Sequence, residues 1–343
     1  MSFARVHASM PDVRSNLDGL VTALKSAGEP TRLRLLALLA SGEATVKDLT
    51  EVLAQSQPRV SRHLKLLTEA GLIARLPEGS WAYYRLAEEG AGAATVRALL
   101  DRLDLDDPVL VRDRQRLDAL KAAHAADAQA YFAANAAGWD RLRSLHVPEA
   151  AVEAAIREAV GSRPIHALLD IGTGTGRILT LLADRYTRAV GVDMSHDMLS
   201  VARANLAAAG LDNAHVRQGD VTALSVGTGA FDVVVIHQVL HYLDDPARAI
   251  REAARAVAPG GRLLIVDFAP HGLEFLRTEH AHRRLGFGHE QMRAWIEAAG
   301  LDLDLVRDLP AETSAEERLT VTVWLAADRR IQMADEPRLL QSA

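Results

Sequence analysis

Leu168-Leu169-Asp170-Ile171-Gly172-Thr173-Gly174-Thr175-Gly176-Arg177 is an apolar run, an acidic residue, a glycine at every second position and then a helical pattern. It predicts a strand that ends in a tight loop and feeds a helix. Glycine has no Cβ, so the backbone of such a loop can approach a ligand closely. That position implies a nucleotide-like cofactor lying across the carboxyl end of a parallel sheet. A nicotinamide site wants G-x-G-x-x-G, and here Arg177 stands where the last glycine belongs.

Strand and helix patterns alternate from this stretch onward. His166–Ile171, Arg188–Asp193, Ala214–Arg217, Phe231–Ile236 and Arg262–Asp267 read as strands. Helical patterns reach Ala183 and cover Ser200–Ala209 and Pro246–Val257. This alternation predicts a parallel, doubly wound α/β sheet with right-handed crossovers. Leu301–Arg307 and Leu319–Ala326 are strands separated by a loop alone, which predicts an antiparallel hairpin at one edge.

The region Ile165–Ala327 resembles the class I S-adenosylmethionine-dependent methyltransferases, with their Rossmann-like fold. The resemblance rests on Asp170 with Gly172, Gly174 and Gly176, and on Val190-Gly191-Val192-Asp193-Met194-Ser195. Gln218-Gly219-Asp220-Val221, Phe231 to His241 and Pro259-Gly260-Gly261-Arg262-Leu263 follow in order. It implies S-adenosyl-L-methionine as cofactor. Asp193 would accept from the ribose hydroxyls and Asp220 from the exocyclic amine. Met194, Val221 and His237 complete the implied cofactor set, and Tyr131, which precedes the resembling region, joins the candidates as one of the aromatic residues clustered ahead of the glycine loop. Methyl transfer from a sulfonium needs in-line alignment more than proton transfer, so a catalytic side chain is optional. His237, His241 and His271, past the fourth and fifth strands, are the candidates, with Asp267 beside them. His241-Tyr242 also reads as a packing pair. The Asn/Asp-Pro-Pro-aromatic motif of amino-methylating DNA enzymes is replaced by His237-Gln238-Val239-Leu240.

A different signature precedes this region. Leu20–Ser41 reads as helix, with Glu29-Pro30-Thr31 a turn or helix start within it and Leu33, Leu36 and Leu39 on one face. Thr45 can cap a second helix. Ser56 or Gln57 caps a third, with Pro58 in its first turn and Val60, Leu64 and Leu67 facing inward. Leu72–Leu76 and Trp81–Leu86 flank a turn at Pro77-Glu78-Gly79-Ser80. Helix, helix, helix, hairpin is a winged helix-turn-helix, whose third helix enters the major groove. Gln57, Arg59, Ser61, Arg62 and Lys65 are the candidate DNA contacts on that helix. Arg75 and Arg85 are the candidate phosphate contacts on the wing. Between Ser56 and Arg85 five basic residues face two acidic ones, a local balance of +3 on a chain of net charge −6.

Residues Val21–Leu86 resemble the ArsR-type bacterial repressors. The resemblance is carried by Gly28-Glu29-Pro30-Thr31-Arg32-Leu33-Arg34-Leu35-Leu36, Val60-Ser61-Arg62-His63-Leu64-Lys65-Leu66-Leu67 and Ala70-Gly71-Leu72-Ile73. It implies a homodimer on a double-stranded DNA operator. Many members sense metals through a cysteine pair, and this chain has no cysteine. In that pattern His63 is a packing residue.

The absence of cysteine also excludes disulfides, thiolate metal sites and cysteine nucleophiles. His271, His280, His282 and His289 cluster with Glu274 and Glu279, match no metal spacing, and read as a polar cleft wall; no metal is expected. No apolar run reaches ~18 residues, and Met1–Asp12 is no secretory signal, so the expectation is a cytoplasmic protein without membrane contact. Between the two signatures, Val96, Leu99, Leu100 and Leu103 form a stripe that suits pairing with a second subunit. Arg112–Asn135 reads as a long helix, and Tyr131-Phe132 with Trp139-Asp140 either caps the cofactor cleft or packs on the sheet.

The expected organisation is a winged helix over 1–90, a helical linker and dimerisation region over 91–160, a methyltransferase domain over 161–330 and a tail over 331–343. Two functions stay open. One is a regulator fused to an enzyme that methylates a small molecule. The other is a non-catalytic regulator that senses S-adenosylmethionine or S-adenosylhomocysteine.

Overall fold

The computed structural model describes residues 15–78, 81–87, 90–135, 149–309 and 319–329. The turn residues Gly79-Ser80, the pair Trp139-Asp140, the N-terminal Met1–Asp12 and the tail over 331–343 lie outside them. The chain divides into two compact units, 1–123 and 124–343.

In the first unit α1 (Leu17–Ala27) and α2 (Pro30–Leu39) are separate helices, because Glu29 caps the second by accepting from the Arg32 N–H. Leu35, Leu36, Leu38 and Leu39 fill the core, whereas Leu33 is only partly buried. Strand β1 (Ala44–Thr45) leads into α3 (Val46–Leu53), where Thr45 and Asp48 cap each other reciprocally. Helix α4 (Gln57–Glu69) follows with Ser56 as N-cap and buries Val60, Leu64 and Leu67, as their spacing predicts. Strands β2 (Ile73–Glu78) and β3 (Trp81–Leu86) form the wing, and β1 adds a third strand against β3 that the sequence did not announce.

Helix α5 (Gly90–Leu100) corrects one expectation. Its Val96 is buried in the unit's own core, with Leu99 and Leu100 packed against the same cluster, so most of that stripe is used within the chain. The exposed apolar stripe lies on α1 instead. Leu17, Leu20, Val21 and Leu24 are 78%, 40%, 38% and 46% exposed, at i, i+3, i+4 and i+7.

Pro108 starts α6 (Pro108–Asn135), and the division between the units falls inside this helix. The stretch expected as a separate linker, 91–160, is thus shared between the units. Within the first unit, buried Asp113 accepts from Arg34 Nε at 2.5 Å and Nη2 at 2.7 Å. That fork raises the Arg34 pKa.

The second unit continues with α7 (Glu149–Val160), β4 (Ile165–Ile171), α8 (Arg177–Leu181), β5 (Tyr186–Asp193), α9 (His196–Ala208) and β6 (Ala214–Gln218). Then come β7 (Phe231–His237), α10 (Pro246–Ala256), β8 (Val257–Phe268), α11 (Phe275–Glu279), α12 (His289–Ala298), β9 (Asp302–Leu309) and β10 (Val321–Ala327). The sheet order is β6-β5-β4-β7-β8-β10-β9. β4 to β8 are parallel. The terminal hairpin is antiparallel as expected, with β10 inserted between β8 and β9 and antiparallel to both.

Both faces are covered. Val234 and Ile236 of β7 join Ile265 of β8 and Trp324 of β10 beneath α10 and α12. Val233, Val235, Val266 and Val323 face the opposite cluster, with Ile156 of α7 and Leu179 of α8. This period-two alternation along the apolar runs Val233–Ile236 and Leu263–Val266 is what a sheet covered on both faces requires.

Candidate functional site

The chain runs outward from β4 through β5 to β6, then returns to the other side of β4 as β7. The loop after β4 therefore lies at the switch point of the sheet, where ligands of such folds sit. Gly172, Gly174 and Gly176 all take positive φ, at 70°, 52° and 82°. Gly172 is required by packing as well. A Cβ there would lie 2.3 Å from Val239 Cγ2, on the segment leaving β7. The loop glycine expected to admit a ligand first of all admits a valine.

Asp193 joins the strand ends. Its Oδ2 accepts from the Gly174 N–H at 2.9 Å, its Oδ1 from the Ser195 N–H at 2.8 Å, and its carbonyl from the Gly219 N–H at 3.0 Å. The loops after β4, β5 and β6 are thus tied through one residue. Burial pushes the Asp193 carboxyl pKa up, opposed by the N–H groups of Ser195, Gly174 and Met194. Around it, Asn205 donates to the Thr175 carbonyl and Gln218 to the Met194 carbonyl. Ser195 caps α9 by accepting from Met198.

The other implied cofactor residues are placed differently. Asp170 is buried, and its Oδ2 accepts from Thr173 Oγ1 at 2.6 Å, so it shapes the loop from below rather than lining its mouth. Asp220 is exposed at the end of β6 and binds Thr222 through Oδ1. Met194 is half-buried, whereas the Val221 side chain belongs to the core. Tyr131 bonds His280 Nδ1 through its hydroxyl at 2.8 Å, and the adjacent Phe132 meets Tyr242 edge-on at 4.7 Å. Both stand on the β7–β8 side of the site.

That side holds the candidate catalytic histidines. His237 ends β7, half-buried. The next residue, Gln238, has φ 55° while its N–H donates to the Val266 carbonyl at 2.7 Å, a backbone strain no sequence signal announced. His241 Nδ1 lies 2.7 Å from Asp267 Oδ1, and Asp267 also accepts from the Leu240 and Phe268 N–H groups. Such an acceptor fixes the proton on Nδ1. The His241 side chain is only 2% exposed, with ring contacts to Tyr242, Phe268 and His282, so the packing reading describes it better than the catalytic one.

His271 is half-buried three residues past β8. Burial is the main cause that lowers its pKa from 6.5 to about 4, with His241 and Arg277 adding to it and Asp267 and Glu274 opposing. The folded ring therefore stays neutral while an unfolded one takes up a proton as pH falls below 6.5. Stability is expected to fall through that window, down to about 4. His271→Gln is expected to flatten this dependence, read as denaturant midpoints across the window; an unchanged slope would assign the loss to other groups.

Among the described residues no group of His, Asp and Glu is placed to hold a metal ion, and no helix is long and apolar enough to cross a membrane.

On α4 of the first unit, Gln57, Arg59, Arg62 and Lys65 are exposed and Ser61 is half-buried. His63 is tucked in, 3.6 Å from Glu29, and burial lowers its pKa. The wing separates its two arginines. Register pairs Arg75 with Tyr84 and Arg85 with Ala74, so the two side chains leave opposite faces. Arg75 is exposed and Arg85 half-buried.

Comparison with known proteins agrees with both halves. A family model described as bacterial regulatory protein, arsR family, matches residues 29–75, and one described as methyltransferase domain matches residues 169–265. An uncharacterized methyltransferase, YcgJ of Bacillus subtilis, is 32% identical over 109 residues, 32% of this chain and 43% of its own. A demethylmenaquinone methyltransferase of Thermus thermophilus is 38% identical over 105 residues, 30% of this chain and 47% of its own. The chain thus spans less than half the length of these relatives. Among solved structures, the N-methyltransferase NodS from Bradyrhizobium japonicum, in complex with S-adenosyl-L-homocysteine, aligns at 20% identity and TM-score 0.49, over 59% of this chain and 98% of its own. The chain joins an arsR-family helix-turn-helix domain, matched over residues 29–75, to a methyltransferase domain, matched over residues 169–265.

Proposed function

We propose that the chain is a DNA-binding regulator whose second unit binds S-adenosylmethionine and transfers its methyl group to a small molecule. The carrying observation is the Asp193 carboxylate, fixed at the switch point by two backbone N–H groups with one lone pair per oxygen still to offer. Asp220, exposed with Oδ1 alone engaged, suits an amine donor at the next strand end. The bound cofactor would supply a methyl group on a sulfonium. The residues here bind and orient it.

Calorimetric titration with S-adenosylmethionine and S-adenosylhomocysteine tests the assignment, and binding of neither overturns it. Operator titration of the full chain, at fixed salt, separates the two functions. An affinity shift of about tenfold on adding either form makes the second unit a sensor. No shift leaves regulation and methyl transfer independent.

DNA reading is proposed for the exposed face of α4. Arg62→Ala is expected to weaken operator binding about tenfold and to leave cofactor binding unchanged. Unchanged operator affinity would remove α4 from the interface. The α1 stripe supports a homodimer, since a second copy would take four apolar side chains out of water. Leu20→Glu with Leu24→Glu is expected to give a monomer by sedimentation, and a persisting dimer would place the interface elsewhere.

A further inference from the structure

We infer that α6 carries the state of the cofactor loop to the turn that sets the DNA-reading helix, through a latch formed by His124, Asp244 and Arg283. This rests on the cofactor reading above.

α6 is one helix, and the division between the units falls inside it. Its first half is bonded to elements that precede α4. Asp113 takes the Arg34 fork from α2, and Lys121 Nζ donates to the Ser41 carbonyl just past α2. Arg116 Nη1 donates to the Val52 carbonyl at 3.2 Å. Val52 lies in the last turn of α3, where carbonyls have no partner within the helix and attract a cation. Two residues later Ala54 takes φ 52°, and the chain turns into α4. Arg116 therefore holds the end of α3 from which the DNA-reading helix departs.

The second half of α6 belongs to the methyltransferase unit. His124 Nδ1 lies 3.1 Å from Asp244 Oδ2, past the end of β7, and 3.0 Å from Arg283 Nη2. Arg283 Nε donates to Asp244 Oδ1 at 2.9 Å, and the Asp244 carbonyl accepts from Arg284 Nη2 at 2.9 Å. Burial pushes the Asp244 carboxyl up, but His124 and Arg283 outweigh it and hold the pKa below the usual value, so the anchor is an ionised carboxylate.

From Asp244 the contacts lead to the glycine loop. The backbone N–H groups of Arg283 and Arg284 both donate to the His241 carbonyl, at 2.8 and 2.9 Å. His241 sits in the turn Leu240–Tyr242, which the Tyr242 N–H closes on the Val239 carbonyl. Val239 is the side chain that leaves no room for a Cβ at Gly172. In a close-packed interior, a ligand that moves the Gly172 backbone moves Val239 too, and with it the turn that leads into Asp244.

The latch has two arrangements. One ring nitrogen of His124 faces a carboxylate oxygen that only accepts and a guanidinium nitrogen that only donates. As one tautomer His124 donates to Asp244, as the other it accepts from Arg283, and it cannot do both. Coupling needs an element with two discrete states that both ends can bias, and this hydrogen bond supplies one. His124 and Arg116 are eight residues apart, about 12 Å along the helix. The hydrogen-bonded backbone of α6 passes a movement from one to the other.

Hydrogen exchange of the backbone amides over Leu53–Gln57 tests the inference. It is measured on the full chain with and without saturating S-adenosylhomocysteine, and calorimetry confirms loading. Loading is expected to change exchange there about fivefold or more, the low end of allosteric coupling. His124→Leu should bind S-adenosylhomocysteine as the parent does and lose that change. Arg116→Ala, which cuts the path at its other end from an exposed position, should lose it too, and it decides alone where His124→Leu does not fold. No change in the loaded parent, or a change that survives either cut, overturns the inference. Failure to load is the failure of the cofactor reading, and the unliganded variants then decide the coupling. His124→Leu is expected to alter exchange over Leu53–Gln57, and by reciprocity Arg116→Ala to alter it over Val239–Asp244, each about fivefold. Exchange identical to the parent's in those segments overturns the inference.

Discussion

Gly172→Ala is expected to destabilise the second unit by roughly 3–5 kcal/mol, the scale of a strained φ added to overpacking. Two separate effects contribute. At φ 70° a side chain meets left-handed strain, and the new Cβ would lie 2.3 Å from Val239 Cγ2 and 2.9 Å from Cγ1. The second effect has a remedy. Val239→Ala removes both methyl groups, so the double variant is expected to recover the steric part and retain about 1–2 kcal/mol of backbone strain. Urea unfolding of the four chains measures this as a coupling energy. Strict additivity of the two single changes would mean that Gly172 and Val239 do not meet, and the switch-point loop would need another account.

Asp193→Ala is the second large effect, and it falls on the ligand. Two hydrogen bonds to a carboxylate, each worth roughly 1.5–3 kcal/mol, imply a loss of about two orders of magnitude or more in S-adenosylmethionine affinity. The substitution also strips the Gly174 and Ser195 N–H groups of their acceptor, so the loops after β4 and β5 lose their tie. Asp193→Asn separates the contributions, because its one amide oxygen preserves part of the loop while removing the charge. Calorimetry reads both. An alanine variant that binds as tightly as the parent would remove Asp193 from the site and take the cofactor assignment with it.

The parallel half of the sheet was legible because strands buried on both faces carry continuous apolar runs, here Ala167–Leu169 in β4, Val233–Ile236 in β7 and Leu263–Val266 in β8. What was less legible depends on neighbours distant in sequence. Asp170 looked like a ligand contact because it precedes the glycines, yet its carboxylate is taken by Thr173 beneath the loop. Val96 looked like a subunit contact because helical spacing shows that a stripe exists, not what covers it, and here the unit's own core does. Arg75 and Arg85 looked alike until strand register sent them to opposite faces. Gln238 gave no signal, since glutamine is not a left-handed residue by habit and its conformation is imposed where its N–H meets the Val266 carbonyl.

The placement of β10 bears on how the second unit is made. The last strand of the sheet in chain order occupies an interior position, paired on one side with β8 and on the other with β9. As the chain leaves the ribosome, β9 emerges with no edge to join, because the strand that connects it to the sheet has not been synthesised. The growing chain therefore carries a finished set of strand ends, with Asp193 and the glycine loop in place, beside an open flank at β8. Closing that flank buries Trp324 completely. A chain that ends before Val321 would leave the β8 edge of the sheet open to pairing with other strands.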